Sequence, residues 1–320
     1  MDRLVKAVVI GAGSIGRRHV VALLARDDIE RVTVVTSWPG AAENLPVDER
    51  IVLTAPGAAF EAEVGIVAVE TDRHIDAALP LVTAGIHVLI EKPVSHRREG
   101  LTALRDAATD SGAGVFVGYN LRFLPALTAL RNAVADGTFG RVLYARFEAG
   151  QYLPDWRPGR DYRQTYSASH TRGGGVALDL SHEVDAMRYV LGDPLDWRVS
   201  SRHVSALEID SDDLFEGQYE YESGAVVSVH LDYLAPRRVR AYRVLGDRQE
   251  VTLDVANART VTFSEGGETV LSDRPAFDVP ATYPAQLDAF LTAARGVSVT
   301  QLATLDDGVR VLELLEARDA

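Results

Sequence analysis

Through the first third of the chain, apolar runs of strand length alternate with amphipathic stretches of helical period. Residues 6–10, 31–36, 64–69, 87–90 and 114–117 read as strands, and 14–25, 74–84 and 97–111 as helices between them. Strands that alternate with single helices bury both faces of a parallel sheet, so residues 1–119 are expected to form a doubly wound α/β domain.

From residue 120 onward the period changes. A helix at 125–136 leads into alternation at 142–150, then a polar, aromatic loop that ends in three glycines, then a helix at 176–191. Alternating segments follow at 197–203, 214–221, 225–233, 239–245, 250–255 and 260–264. Ser223-Gly224, Gly246-Asp247 and Gly266-Gly267 separate them as turn signals. Helices at 284–294 and 305–318 close the chain, the latter with Leu305, Val309, Leu312 and Leu315 on one stripe. Residues 120–320 are therefore expected to form an α+β domain around a large, open, mostly antiparallel sheet.

Composition narrows the function. A chain of 320 residues with 47% hydrophobic content has material for two cores. Its longest apolar runs fall far short of the roughly 20 residues of a membrane span, so no membrane partner is expected. The first residues pass directly into a strand, which leaves no room for a secretory signal and makes a cytoplasmic location the default expectation. A net charge of −13 argues against nucleic acid, whose backbone needs a clustered basic face, and leaves a small molecule as the expected partner. Cysteine is absent, which removes disulfides, thiolate nucleophiles and cysteine-ligated metals; no metal is expected. Nearly every cation is Arg, and the only lysines are Lys6 and Lys92. Lys6 enters the first strand, where solvation explains it. Lys92 differs, because a partly buried Lys exchanges protons near neutral pH and Arg does not.

The run Gly11-Ala12-Gly13-Ser14-Ile15-Gly16 follows the first strand and opens a helix. Glycines there permit a tight turn, close backbone approach to a pyrophosphate and close helix–strand packing, while the helix N-terminus supplies amide donors. NAD preference usually shows as an acid at the end of the second strand, but that stretch here is Thr36-Ser37-Trp38. Without the acid there is no repulsion against a 2′-phosphate, and Ser37 can donate to one. The expected cofactor is NAD or NADP, with a lean to NADP, and no Arg beside Ser37 closes the question. Trp38 either stacks on adenine or packs under a loop.

Glu91-Lys92-Pro93 ends the strand at 87–90, and ligands of open α/β sheets bind outside the carboxyl ends of strands. Pro93 holds Lys92 in extended backbone. Lys92 is thus a general base in oxidation and a general acid in reduction, against the plain alternative of a surface salt bridge. On the helix after Gly173-Gly174-Gly175, the period places Asp179, His182 and Glu183 with Ala186 on one face, and Leu180, Val184, Met187 and Leu191 on the other. His182 suits proton transfer near neutral pH, with Asp179 beside it; the alternative is a solvated face with capping carboxylates. Asn120-Leu121-Arg122-Phe123 and the loop at 151–162, with Tyr152, Trp156, Arg157, Arg160 and Tyr162, mix rings with planar polar groups. Such a mixture suits a carbohydrate, a phosphate or a carboxylate, and equally a protein interface.

Taken together, the glycine run at 11–16, Thr71-Asp72-Arg73-His74, Glu91-Lys92-Pro93, the 120–123 segment and the 173–185 segment resemble the Gfo/Idh/MocA family over essentially the whole chain. The resemblance implies a Rossmann domain followed by an open-faced α+β domain whose sheet supports homodimers or homotetramers. It implies reversible hydride transfer at a ring hydroxyl of a sugar, sugar nucleotide or cyclitol, in a biosynthetic setting that the 151–162 loop shares with surface-polysaccharide or specialised-sugar enzymes. It makes Lys92 the catalytic lysine, His182 the active-site histidine and Asp179 its acidic partner, and it adds Thr71, His74 and Glu91 to the cofactor contacts. In many relatives the acid precedes the histidine by four positions, whereas Asp179 precedes His182 by three, which leaves open which of the two exchanges the proton. Two other classes stand beside this one. An NAD-dependent glycoside hydrolase would oxidise its sugar transiently with no net cofactor turnover, and a cofactor sensor would function without Lys92 or His182.

Overall fold

The computed structural model of the protein describes residues 4–317. Contacts divide the chain into two units, residues 1–120 with 281–309, and residues 121–280 with 310–320. The first begins with β1 (Val5–Ile10), α1 (Ser14–Leu24), β2 (Ile29–Val35), α2 (Ala41–Asn44), β3 (Ile51–Thr54), β4 (Val64–Val67), α3 (His74–Thr83), β5 (His87–Ile90), α4 (Leu101–Ser111) and β6 (Val115–Val117). The strands β6-β5-β4-β1-β2-β3 pair in that order, all parallel. All four residues of β4 are buried, as a central strand covered on both faces must be. β1 has β2 on one side and β4 on the other, so successive crossovers leave it in opposite directions. A crevice opens at the carboxyl ends of β1 and β4.

The second unit contains α5 (Pro125–Ala135), β7 (Val142–Gly150), α6 (Val176–Asp179), α7 (His182–Leu191), β8 (Asp196–Arg202), β9 (Leu214–Glu220), β10 (Val226–Asp232), β11 (Val239–Gly246), β12 (Glu250–Asp254), β13 (Arg259–Ser264) and β14 (Gly267–Ser272). Its eight-stranded sheet runs β14-β13-β12-β11-β7-β10-β9-β8. Every pair is antiparallel except β10 with β7. β9 alternates buried and exposed residues, the signature of a sheet packed on one face only. Phe147 and Tyr242, 5.2 Å apart between ring centres, pack side by side in its core.

The last elements are α8 (Thr282–Ala294), β15 (Ala303–Thr304) and α9 (Leu305–Leu315). Residues 281–309 pack with the first unit, although the sequence pattern grouped everything after 119 in one domain. The reason is local: Phe290 of α8 meets Phe116 edge-on at 5.9 Å, and β15 adds an antiparallel edge strand to β6. Arg318, the expected end of the last helix, lies outside the described residues. Two further strands escaped the pattern. β3 is four residues long, and five of the six residues of β14 are exposed, so neither shows an apolar period. The expected helix at 176–191 is broken: α6 ends at Asp179 and α7 starts at His182. Among the described residues, no helix is long and apolar enough to cross a membrane.

Candidate active site

The turn after β1 tolerates no side chain. A Cβ on Gly11, whose φ is +107°, would stand 2.4 Å from the Ala68 carbonyl oxygen, and one on Gly16 would stand 2.1 Å from the Gly11 oxygen. Backbone therefore closes on backbone at the carboxyl ends of β1 and β4. At Gly13 the situation reverses, because a Cβ there would meet nothing within 4 Å. Gly13 is also the N-cap of α1, with no side-chain cap and no acid in the first turn, so the amides around Ser14 and Ile15 face an open space with positive potential. These residues fit the pyrophosphate of a dinucleotide.

At the end of β2, Ser37 and Trp38 are exposed, and a Cβ on Gly40 would come within 2.9 Å of the Trp38 ring. One edge of the Trp38 indole thus packs on Gly40. Thr71 is buried at the start of a short 3₁₀ turn. His74 is buried too, with Nδ1 2.8 Å from the Pro93 carbonyl and Nε2 3.2 Å from the Val69 carbonyl. Burial lowers its pKa, against the pull of those carbonyls; the neutral ring that this favours donates to one of them and packs between Pro93 and the segment after β4. His74 and Glu91 both stand beside the end of β5 with their polar atoms on protein groups. The Glu91 carboxylate is buried and turned onto His19 Nε2 of α1 at 2.7 Å, and its second oxygen accepts the Lys92 amide at 3.3 Å. Burial opposes the Glu91 charge, but His19, Lys92 and His74 outweigh it and hold the carboxyl below its ordinary pKa. Sequence reasoning missed His19. Its signal was a polar residue on the apolar face of α1, beside Val20 and Leu23.

Lys92 itself stands at the carboxyl end of β5, half-buried, and is joined to Pro93 by a cis peptide. Asn120 is buried, and its amide donates to Thr282 Oγ1 at 2.6 Å. It ties the segment after β6 to α8.

In the second unit, a Cβ on Gly174 would fall 2.1 Å from the Tyr166 carbonyl, and one on Gly175 2.0 Å from Asp212 Oδ1. The glycines let the chain enter α6 flush against its surroundings. Asp179, at the end of α6, is buried beneath two phenols: Tyr233 Oη donates to Asp179 Oδ2 at 2.6 Å, and Tyr166 also bonds it. Burial, and then the Asp179 charge, raise both phenols well above their ordinary pKa. Neither tyrosine was flagged from the sequence, because nothing local links residues 166 and 233 to 179.

The single acid–base face expected for 176–191 does not exist. Between Asp179 and Met187, His182 is the one residue that is not buried. Glu183 is fully buried and takes Arg240 Nε at 2.7 Å and Tyr242 Oη at 3.2 Å. Asp185, also buried, takes Arg122 through Nη2 at 2.6 Å and Nε at 3.0 Å. Arg122 is 4% exposed, and its fork is occupied by a protein carboxylate.

The aromatic loop divides. Trp156 and Arg157 line a cavity of about 250 Å³ together with Gln151, Leu180, Arg238 and Arg240. Arg160 and Tyr162 line instead a pocket of about 10 Å³, room for one water. The Tyr162 hydroxyl accepts the Glu208 amide at 3.2 Å, and Tyr152 is 40% exposed and lines neither space. Arg238 and Arg240 went unnoticed in the sequence, since an Arg-Val-Arg strand start reads as a solvated edge.

Comparison with known proteins agrees with this picture. A model of the oxidoreductase family with an NAD-binding Rossmann fold matches residues 5–119, and one of the GFO/IDH/MocA C-terminal domain matches residues 127–252. The chain is 27% identical over 315 residues to 1,5-anhydro-D-fructose reductase of Ensifer adhaerens, covering 94% of this chain and 91% of that protein. It is 30% identical over 189 residues to inositol 2-dehydrogenase of Rhizobium meliloti, covering 58% of this chain and 54% of that one. Levoglucosan dehydrogenase in complex with NADH and levoglucosan shares the fold with a TM-score of 0.84 at 19% identity, over 98% of this chain and 95% of that one. With a glycine turn built for a dinucleotide and both family models matched in order along the chain, the protein belongs to the Gfo/Idh/MocA family of NAD(P)-dependent oxidoreductases acting on CH–OH groups.

Proposed function

We propose that the chain interconverts a ring hydroxyl and its ketone in a sugar, sugar nucleotide or cyclitol, with Lys92 as the group that exchanges the hydroxyl proton. The observation that carries this reading is the bracing on both sides of Lys92. Glu91 is held by His19, and Pro93 by His74, so the backbone of Lys92 is fixed at a strand end whose sheet also carries the glycine turn. Bound nicotinamide dinucleotide supplies the hydride acceptor or donor. Lys92 takes the proton as the carbon is oxidised and returns it in the reverse direction. His182, half-buried where its neighbours are buried, is the proton partner in the second unit, and Asp179 acts through the phenols of Tyr233 and Tyr166 that clamp it.

The absence of a carboxylate after β2 supports use of NADP alongside NAD, and the relatives support a carbohydrate or cyclitol substrate. A biosynthetic role rests on the 151–162 loop alone. Exposed Phe263, Val270 and Leu271 on β13 and β14 support a homodimer or homotetramer built on the open sheet.

The test is turnover of neutral hexoses and cyclitols with NAD or NADP, followed at the reduced-nicotinamide absorbance. Lys92→Ala is expected to lower kcat by about 10²–10⁴-fold while dinucleotide affinity, measured by calorimetry, changes by less than about threefold. A variant that turns over as fast as the parent overturns the assignment.

A further inference from the structure

The cavity of the second unit carries more positive charge than the fold needs. Three arginines, Arg157, Arg238 and Arg240, line its wall, which includes Leu180 between Asp179 and His182. Arg240 is accounted for by its ion pair with Glu183. Arg157 lies over the Tyr166 ring with its guanidinium carbon 5.3 Å from the centre, and neither it nor Arg238 has a carboxylate partner among the described residues. Exposed arginines elsewhere do find acids: Arg163, Arg243, Arg259 and Arg295 each hold one. Nor are acids scarce, since they outnumber bases 46 to 33.

The acids around the cavity are already engaged. Glu183 serves Arg240 and Tyr242, Asp179 serves Tyr233 and Tyr166, and Asp232, against Gly150 on the wall, takes two backbone amides and His230. Arg238 is accessible to solvent at this wall, yet crowding by protein atoms and the neighbouring Arg240 cation lower its pKa from the ordinary arginine value. Two like charges beside one cavity destabilise the empty site, and an arriving anion relieves them. A guanidinium fork also matches carboxylate or phosphate oxygens two at a time, and a cleft of one sign concentrates ligands of the other.

We infer that the substrate carries an anionic substituent, a carboxylate or a phosphate ester, which Arg238 and Arg157 seat in this cavity. The inference deepens the proposed function and rests on that reading of the site. At about 250 Å³ the cavity lies just below the range of drug-sized pockets and suits one substituted ring.

The experiment compares a hexuronate, a hexose 6-phosphate and the neutral hexose on the dinucleotide-loaded enzyme, by turnover and by calorimetric binding. At least one anionic sugar is expected to bind about tenfold or more tightly than the neutral one, a difference of about 1.4 kcal/mol, and the advantage should shrink as salt rises. A hexuronate that responds identifies a carboxylate, and a hexose phosphate that responds identifies a phosphate ester. Arg238→Gln should erase most of the anionic-to-neutral ratio through KM or Kd rather than kcat, and Arg238→Lys should restore part of it. Equal binding of neutral and anionic sugars, or a ratio unmoved by Arg238→Gln, overturns the inference. The binding arm reads it even where no sugar is turned over. Turnover of sugars that Lys92→Ala leaves unchanged defeats the proposed mechanism instead, so the two failures are told apart.

Discussion

Around the glycine turn, position is fixed by main chain: Gly11, Gly16 and Ala68 meet carbonyl against Cα, and the cofactor side is left to uncapped amides. Around Asp179 and Asp185, position is fixed by side chains drawn from distant parts of the sequence, with Tyr233, Tyr166 and Arg122 spending their polar groups on buried carboxylates. The contrast teaches where each region is fragile. A main-chain site fails when an atom is added. A buried side-chain network fails when one is removed, because the partner left behind pays its full desolvation.

The sharpest way to break this contrast is Arg122→Ala. If Asp185 depends on that fork, unfolding by urea or heat should show a loss of about 3–5 kcal/mol, with dinucleotide affinity unchanged in the folded protein. Were Arg122 a substrate ligand after all, stability would hold and KM would rise.

Gly16→Ala is next. The added Cβ meets a backbone oxygen at 2.1 Å, which cannot rotate away. A stability loss of about 1–3 kcal/mol is expected, with dinucleotide Kd raised about tenfold or more by calorimetry. Unchanged affinity would mean that the turn does not hold the cofactor.

A smaller effect should appear in the pH dependence of stability. His74 is buried and its pKa is lowered in the folded state, whereas the unfolded ring titrates near about 6.5. The unfolded chain therefore binds more protons just below that pH. The contribution of His74 is complete above about pH 6.5 and is lost as pH falls towards its folded-state value. Melting curves between about pH 7 and 5 should fall more steeply for the parent than for His74→Asn. Parallel curves would show that the ring is not held neutral.

Legibility followed the same division. The parallel strands, the glycine turn and the Glu91-Lys92-Pro93 strand end could be read because period and glycine placement act within a few residues. His19 was hidden one helix turn away, and the exposed strand β14 had no apolar alternation to betray it. The helix through residues 176–191 was read as continuous because its apolar residues keep the helical period across Leu180 and Ser181. The break there came from tertiary demands: Asp179 is drawn to Tyr233, while Glu183 and Asp185 are drawn to Arg240 and Arg122.

By itself, then, the sequence determined the two kinds of sheet, the dinucleotide turn and the family, because these depend on local backbone chemistry and on periodicity. Only the tertiary structure decided which charges are spent and which remain available. It paired Arg122 with Asp185 and Arg240 with Glu183, left Arg238 facing a cavity, and returned residues 281–309 to the first unit. A guanidinium has the same charge wherever it stands in a sequence; its function follows from the carboxylate that burial brings within reach.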